Sequence, residues 1–425
     1  MTGFARRLIL ALVSWLAAAG LGLTPASAAP LGAGGDPGRE VLVLLRLPPE
    51  HFRPDADYGD SYGDGMSRAA RRRIAAGLAR HHGLTLVGDW PMPLVGVDCF
   101  IMSVPAGRST DKEATSLSRD PGVSWAEPVR LYQGESAPAD SGGSLFRAQP
   151  ASREWRLADL HEIATGRNVS VAVIDSMVEQ GHPDLLGQVS VAANFVPDHP
   201  ASSEDHGTGV AGVIAAHGVG IVGVAPHARL MALRACWQTR AGPSGATSTL
   251  CDSLSLAQAL HFAIEHDAQV INLSLGGPPD LLLSRLLDVA IARGATVVAA
   301  FDRRLPGGGF PASHAGVIAV IDEPMTSPLP GVYSAPGRDV PTTQPGGRWY
   351  LVNGSSYAAA HVSGLLALMR EHARQPRSLS LVLAGVGQGA IDSCATLLRT
   401  VGPCDCACAR PRNNAEQMPT AIARP

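Results

Sequence analysis

From about residue 153 onward, short apolar runs alternate with stretches whose apolar residues recur at helical spacing. The run Val169–Ile174 predicts a buried strand, and Leu254–His266 followed by Val270–Leu275 predicts a helix and then a strand. Such alternation is typical of an α/β fold built on a parallel sheet. Functional side chains are therefore expected at the carboxyl ends of strands and at the helix starts beside them.

The other elements predicted here are the helices His206–Ala216, Leu282–Arg293 and Ser356–Arg370 and the strands Leu230–Leu233, Thr296–Ala300 and Val317–Ile321. A separate pattern precedes them, in the order β-α-β-β-α-β. Its predicted members are Val41–Leu47, Ser67–His82, Leu84–Trp90, Val97–Val104, Thr110–Ser118 and Val123–Tyr132. This order is the split βαβ arrangement of a small α+β, ferredoxin-like domain.

The N-terminus predicts export. Two arginines, Arg6 and Arg7, precede the apolar stretch Leu8–Leu23, and Ala26-Ser27-Ala28 offers a small-residue cleavage site. This pattern is typical of a secretory signal peptide over residues 1–28. The alternative is a membrane anchor, but the apolar run is short for a span. We expect a secreted or periplasmic protein with no stable membrane span once the signal is removed.

The chain contains seven cysteines, and export would place them in an oxidising compartment. Cys236 and Cys251 flank a loop rich in Gly and Pro, and we expect them to form a disulfide. The C-x-C-x-C run at residues 404–408 lacks the usual zinc spacing, so we favour disulfides, with Cys394 as a further candidate partner, or a disordered tail over a metal site. An odd count leaves at least one thiol without an intramolecular partner.

The charge composition excludes several function classes. The formal net charge of -3 does not indicate a nucleic acid or an anionic membrane as a partner. Lys112 is the only lysine, and it lies upstream of the α/β region. A Schiff-base lysine, a Ser-Lys dyad or a P-loop lysine therefore cannot operate there. A cofactor-binding doubly wound protein is also disfavoured, because no G-x-G-x-x-G opens a helix after the first strand.

In three segments, a polar side chain that could take part in catalysis lies at a predicted strand end or helix start. Asp175 ends an apolar strand, His206 opens a glycine-rich helix, and Ser356 lies where a turn leads into a helix of small residues. Each has an ordinary explanation alone: a turn or cap for the aspartate, tight helix packing for the histidine segment, an N-cap for the serine. Together, one Asp, one His and one Ser satisfy what an activated nucleophile requires.

These segments resemble the three signatures of the subtilisin-like serine proteases (subtilases), in that family's chain order of Asp, His and Ser. The resemblance covers about residues 153–375, and implies a subtilisin-like parallel sheet flanked by helices. It implies that Asp175 orients the imidazole, that His206 is the general base, and that Ser356 attacks the scissile carbonyl. Further matches are His182–Leu185, Phe310–Ser313 and Ala335–Gly337.

The resemblance also implies a substrate site with unusual residues. The substrate-binding residues it implies are Ser274, Leu275, Gly276, Ala299, Ala300 and Phe301. Asp302 stands where the family usually has an oxyanion-hole Asn. An ionised carboxylate cannot donate a hydrogen bond, so either Asp302 is neutral or the Ser356 backbone N–H carries most of that role. Phe301 replaces a pocket-lining glycine, so we expect small residues before the scissile bond.

The predicted organisation is a signal peptide, a propeptide-like inhibitor and chaperone domain at 40–132, a linker at 133–152, a peptidase domain at 153–385, and a cysteine-containing tail at 386–425. The resemblance implies a self-processing precursor, a peptide or protein substrate, and the chain's own propeptide as an intramolecular inhibitor. It implies no cofactor for the chemistry, with structural calcium as an unplaced option. The alternative function is a weak or inactive subtilase-like protein that binds peptides.

Overall fold

The computed structural model describes residues 36–47, 62–134, 137–138, 149–241, 246–324, 329–373, 379–385 and 389–409. The signal peptide predicted for residues 1–28 lies outside these ranges. Within them, no helix is both long and apolar enough to cross a bilayer.

The N-terminal part is a four-stranded antiparallel sheet with two helices. Its elements are β1 (Glu40–Arg46), α1 (Tyr62–His82), β2 (Thr85–Met92), β3 (Val97–Ser103), α2 (Thr110–Leu117) and β4 (Val123–Pro128). The strand order is β2-β3-β1-β4, the split βαβ arrangement that the sequence predicts. Buried side chains of β1 and β3, among them Val43 and Phe100, pack against apolar residues of the two helices, such as Ala75 and Leu117.

A seven-stranded parallel sheet forms the centre of the larger part. Its strands are β7 (Ser170–Asp175), β8 (Val189–Asn194), β9 (Arg229–Arg234), β12 (Val270–Leu273), β14 (Thr296–Ala300), β15 (Ile318–Ile321) and β16 (Val332–Ser334). Their order is β16-β15-β14-β12-β7-β9-β8, and every neighbouring pair is parallel. The carboxyl ends of all seven strands therefore point to one edge, as the alternating pattern predicts.

Helices cover this sheet. They are α3 (Pro150–Glu154), α4 (Leu157–His161), α5 (Asp205–Ala215), α6 (Ser253–Glu265), α7 (Leu281–Ala292), α8 (Ser355–His372) and α9 (Ser393–Val401). The fold is α/β, as predicted. Helix α8 is buried over Ser355–Arg370, so its small residues, such as Ala358–Ala360, let the helix lie close to its neighbours.

Two smaller antiparallel sheets lie beside the parallel one. Their strands are β5 (Leu131–Gly134), β6 (Ala137–Pro138), β10 (Cys236–Ala241), β11 (Ala246–Asp252), β13 (Leu275–Gly276), β17 (Val340–Gln344) and β18 (Arg348–Asn353). The orders are β10-β11-β5-β13 and β17-β18-β6. A disulfide joins Cys236 to Cys251, which face each other across β10 and β11.

The structure differs from the sequence-based expectation near residue 130. The strand predicted for Val123–Tyr132 stops at Pro128, whose ring nitrogen has no N–H to extend the ladder. The chain resumes as β5 in a different sheet. The linker predicted for 133–152 thus begins with strand residues and ends inside α3, while residues 139–148 lie outside the described part. The strand predicted for Val270–Leu275 is likewise divided into β12 and β13.

A second difference concerns the C-terminal tail predicted for residues 386–425. Helix α9 packs into the main core, and disulfides join Cys394 to Cys408 and Cys404 to Cys406. Leu397 is completely buried there. Cys99, the remaining cysteine, is a buried free thiol whose pKa is raised by burial.

We expect Leu397→Ala to lower the free energy of unfolding by about 2–5 kcal/mol, because it leaves a cavity where α9 contacts the core. The control is Leu383→Ala, since Leu383 is 47% exposed and its truncation should cost far less. Urea unfolding of the two variants measures the difference. Equal, small losses would show that α9 adds nothing to the core.

Candidate active site

Two contacting side chains, those of Asp175 and His206, lie at the edge of the sheet where the parallel strands have their carboxyl ends. Asp175 is the last residue of β7, and His206 is the second residue of α5. The His206 Nδ1 atom lies 2.7 Å from Asp175 Oδ1, and both side chains are almost fully buried. A carboxylate only accepts hydrogen bonds, so Nδ1 is the donor in this contact, and Nε2 is the ring atom that faces the next residue of the site.

Ser356 completes the arrangement from the start of α8. Its Oγ lies 3.0 Å from His206 Nε2 and 2.9 Å from the carbonyl oxygen of Ser274. The Ser274 hydroxyl donates to the Ser356 carbonyl at 2.9 Å, which connects the segment after β12 to the first turn of α8. Three residues distant in sequence therefore lie within hydrogen-bonding reach at one sheet edge.

Residue 207, directly after His206, must be a glycine for a steric reason. A Cβ atom on Gly207 would lie 2.2 Å from the carbonyl oxygen of Ser176, a distance that no side chain tolerates. The Gly207 N–H also donates to Ser176 Oγ at 3.0 Å. The sequence predicts close approach of another backbone at this glycine-rich turn, and that backbone is the residue following Asp175.

Asp302 follows β14 and carries an ion pair. Its Oδ1 accepts from the Arg304 backbone N–H at 2.8 Å and from Arg304 Nε at 3.0 Å, and its Oδ2 accepts from Nη2 at 3.1 Å. A guanidinium held side-on in this way favours the ionised carboxylate. This contact argues against a neutral, hydrogen-bond-donating Asp302, the first of the two options derived from the sequence.

The implied substrate-binding residues occupy two neighbouring strands. Leu275 and Gly276 form β13, while Ala299 and Ala300 end β14 and are fully buried. A Cβ on Gly276 would lie 3.6 Å from Asp302 Cβ, so β13 faces the loop after β14. The Phe301 ring is buried against Gly308, where a Cβ would lie 2.1 Å from it.

Two short strands of the chain, β5 and β6, pair with segments that adjoin the site. Strand β5 lies between β11 and β13, with Gly276 opposite Gln133 and Leu275 opposite Gly134. A Cβ on Gly134 would lie 3.2 Å from His206 Nε2. Beyond residues 135–136, which lie outside the described ranges, β6 pairs with β18, the strand that leads into α8.

Tyr132 anchors β5 in an apolar pocket. Its hydroxyl donates to the Pro278 carbonyl at 2.9 Å, and Gly277 has no side chain to obstruct the ring. The pocket is otherwise lined by Leu256, Leu260, Leu273, Leu275, Leu283, Leu287, Phe310 and Pro311. A large apolar or aromatic side chain at this position of a bound strand would thus be well buried.

Other polar residues of the matching segments have structural partners. The Asp184 carboxylate accepts from the backbone N–H groups of Val219, Gly220 and Ile221 and from Trp349 Nε1. Among the described residues, no group of three or more His, Cys, Asp or Glu side chains could hold a metal ion.

Sequence analysis missed three contributors to the site. Tyr132 and Gly134 were assigned to a strand end and a linker, because a strand's partners in a distant sheet cannot be found from local pattern. Arg304 was overlooked, although its position two residues after an anomalous aspartate was visible in the sequence.

Known proteins resemble this chain in sequence. A model of the subtilase family matches residues 166–381. Subtilisin E of Bacillus subtilis is 33% identical over 288 residues, which cover 63% of this chain and 70% of that protein. M-protease of Shouchella clausii is 37% identical over 274 residues, covering 61% of this chain and 67% of that protein.

A solved structure shows the same fold. Fervidolysin from Fervidobacterium pennivorans, described as a keratinolytic enzyme related to subtilisin, superimposes with a TM-score of 0.62 at 22% identity. The match covers 86% of this chain and 61% of that one, so the chain spans less than two thirds of fervidolysin.

We expect Gly207→Ala to lower kcat/KM for peptide hydrolysis by about 100-fold or more, because the new methyl group pushes His206 away from Asp175. Gly181→Ala is the matched control, since a Cβ at Gly181 meets nothing within 4 Å. Steady-state kinetics on one peptide compares the two. A Gly207 variant as active as the Gly181 variant would refute the steric argument.

Proposed function

The chain belongs to the subtilase family of serine endopeptidases, and we propose that it hydrolyses peptide bonds through Asp175, His206 and Ser356 after export and self-processing. The observation that carries the proposal is His206, with one ring nitrogen 2.7 Å from a carboxylate and the other 3.0 Å from a serine hydroxyl. The chemistry as proposed draws on side chains and backbone alone, and its substrates are peptides or proteins.

The proposed reaction proceeds in two transfers. Ser356 Oγ attacks the scissile carbonyl carbon while its proton passes to His206 Nε2, and Asp175 stabilises the resulting imidazolium. The carbon–nitrogen bond then breaks, and the imidazolium returns the proton to the leaving amine. Water, deprotonated by the same imidazole, hydrolyses the acyl-enzyme and restores the serine hydroxyl.

Stabilisation of the oxyanion falls mainly to the start of α8. The first N–H groups of a helix have no carbonyl partner within it, and the helix dipole places partial positive charge there. The Ser356 N–H, in that first turn, is the donor we propose. Asp302, ionised beside Arg304, cannot donate, so the second donor of a typical oxyanion hole is lost.

The N-terminal part is proposed to act as an intramolecular inhibitor. Strands β5 and β6 occupy the two sides of the cleft in the manner of a bound substrate, which supports both inhibition and self-cleavage between them. The export predicted from residues 1–28 suits this arrangement, since an inactive precursor protects the producing cell until the cut is made.

We expect Ser356→Ala to lower kcat/KM by about 10⁴–10⁶-fold and to leave the precursor at full length. Ser355→Ala is the matched control, because Ser355 Oγ points instead to Asp322 Oδ1 at 3.4 Å. Gel electrophoresis follows shortening, and a serine-directed phosphonate followed by mass spectrometry locates the reactive residue. Shortening that survives Ser356→Ala, or failure to label Ser356, would favour the peptide-binding alternative.

Carboxyl groups face each other across the boundary between the N-terminal part and the peptidase part. The Glu127 carboxylate accepts from the N–H groups of Leu281 and Leu282, beside Asp280. Burial, and then the charge of Glu127, raise the pKa of Asp280 to about 7. Burial, and then the charge of Asp252, raise the pKa of Glu40 to about 7.

Separation of the two parts removes these neighbours and lowers both pKa values toward those of ordinary carboxyl groups. The closed state then binds more protons than the open state between about pH 4 and pH 7. The two carboxyl groups therefore favour the closed state most at a pH below the pKa values that they have in the open state. This contribution is lost as the pH rises through about 7, which is their pKa in the closed state.

We expect β5 in the Ser356→Ala precursor to lose protection from hydrogen exchange as the pH rises from 5.5 to 8, after correction for intrinsic exchange rates. Asp280→Asn combined with Glu40→Gln should flatten this dependence, because neither replacement titrates. The same pH dependence in the doubly substituted protein would contradict the assignment to these two carboxyl groups.

A further inference from the structure

A buried asparagine interrupts the central strand of the parallel sheet. Strand β12 reads Val-Ile-Asn-Leu, and Asn272 lies opposite Val173 of β7 and Val298 of β14. Asn272 is completely buried. A strand in this place is normally apolar throughout, because a buried amide costs free energy unless its polar groups are hydrogen-bonded. The contacts of Asn272 therefore need an explanation.

Both ends of the Asn272 amide are hydrogen-bonded to serines. Its Oδ1 accepts from the Ser363 hydroxyl and its Nδ2 donates to Ser274 Oγ, each at 2.9 Å. Ser363 lies about two turns after Ser356 in α8, and Ser274 is bonded to Ser356. All four residues are buried. Helix α8 is therefore fastened at two points to β12 and the segment that follows it.

The direction of these hydrogen bonds follows from the contact between Ser274 and Ser356. Ser274 Oγ lies 2.9 Å from the Ser356 carbonyl oxygen, and only the hydroxyl can donate there. Since its single proton is used in that bond, Ser274 Oγ is the acceptor toward Asn272, which must present its amino group. The Ser363 hydroxyl donates to Oδ1 and keeps the amide in this orientation.

The chain of hydrogen bonds ends on the residue whose placement matters most. Ser356 Oγ lies 3.0 Å from His206 Nε2 and 2.9 Å from the Ser274 carbonyl oxygen, so its single proton has two acceptors at nearly equal distances. Of the two, only His206 can act as a general base. A small displacement of the first turn of α8 changes which acceptor receives the proton, so catalysis depends on how firmly that turn is held.

We propose that Asn272 is a positioning residue for the nucleophile. By donating to Ser274 Oγ, it directs the Ser274 proton to the Ser356 carbonyl and so holds Ser356 toward His206. The proposal rests on the proposed protease function and deepens it. Because Asn272 acts on the nucleophile through Ser274, its replacement should lower kcat more than it raises KM.

The substitution Asn272→Asp changes the hydrogen bonding at this position with almost no change in shape. An ionised carboxylate only accepts, so the Ser274 hydroxyl turns to it and leaves the Ser356 carbonyl. A protonated carboxyl group can donate to Ser274 as the amide does. Burial raises the pKa of a carboxyl group, so we expect the change between the two forms between about pH 6 and 10.

Steady-state kinetics on one peptide from pH 6 to 10 gives kcat of the variant relative to that of the unaltered protein. For Asn272→Asp we expect this ratio to fall about 10-fold as the pH rises, while KM changes less than about threefold. Asn194→Asp is the matched control, since Asn194 is exposed and its Oδ1 accepts from the Val196 N–H, which a carboxylate can also do. The control ratio should stay constant. The same constant ratio for Asn272→Asp, or a loss confined to KM, would overturn the proposal.

A double-mutant cycle shows whether Asn272 acts through Ser274. Ser274→Ala removes the hydroxyl and should lower kcat about 10-fold at every pH. In that background Asn272→Asp should change kcat by less than about threefold and without pH dependence, because no hydroxyl is left to redirect. Two losses that simply multiply would show that Asn272 supports the sheet independently of Ser274, contrary to the proposal.

If Asn272→Asp folds poorly, Ser363→Ala tests the same chain from its other end, because it removes the donor that orients the amide. We expect it to lower kcat by about 3- to 10-fold, with no further loss when it is combined with Ser274→Ala. Ser393→Ala is its control, since Ser393 is also buried and donates to the Trp155 carbonyl at 2.9 Å. A loss no larger than that of the control would overturn the proposal. If the unaltered protein cleaves no peptide and the phosphonate does not label Ser356, the protease function itself fails instead.

Discussion

The catalytic arrangement depends on the contact between two backbones, at Gly207 and Ser176. Helix α5 can deliver His206 to Asp175 only because residue 207 has no side chain to strike the Ser176 carbonyl. The parallel sheet supplies the rest, since β7 and β12 end side by side and bring Asp175 and Ser274 to the same edge. The Ser274 hydroxyl then donates to the Ser356 carbonyl in the first turn of α8, which holds Ser356 at that edge.

Asp302 stands where the family usually has an Asn, and this difference changes the roles of neighbouring residues. A carboxylate in place of an amide would repel the charge that develops on the scissile oxygen. The guanidinium of Arg304 offsets this repulsion by neutralising the carboxylate, at the cost of a donor that the site would otherwise have. The residue at position 302 therefore determines both the charge and the hydrogen-bonding capacity of the loop after β14.

Much of the fold and the site could be predicted because their signals are local. Alternating apolar runs indicate a parallel sheet, and Asp175, His206 and Ser356 lie at the strand end and helix starts where such sheets place chemistry. The pairing of Cys236 with Cys251 followed from the loop between them. What could not be predicted depends on distant partners: β5 leaves its own sheet for the cleft, and α9 joins the core through Leu397. No periodicity in the sequence specifies which surface an isolated strand or helix will meet.

The position of β5 and β6 on either side of Ser356 has a kinetic consequence. In the proposed self-cleavage, the segment that is cut and Ser356 belong to one polypeptide, and β5 and β6 are already paired with strands of the peptidase part before reaction. The first turnover is therefore unimolecular, with a half-life that does not change on dilution, whereas every later turnover on a foreign peptide depends on encounter. In the proposed self-cleavage, maturation therefore begins once the precursor has folded, and its rate does not depend on the protein concentration.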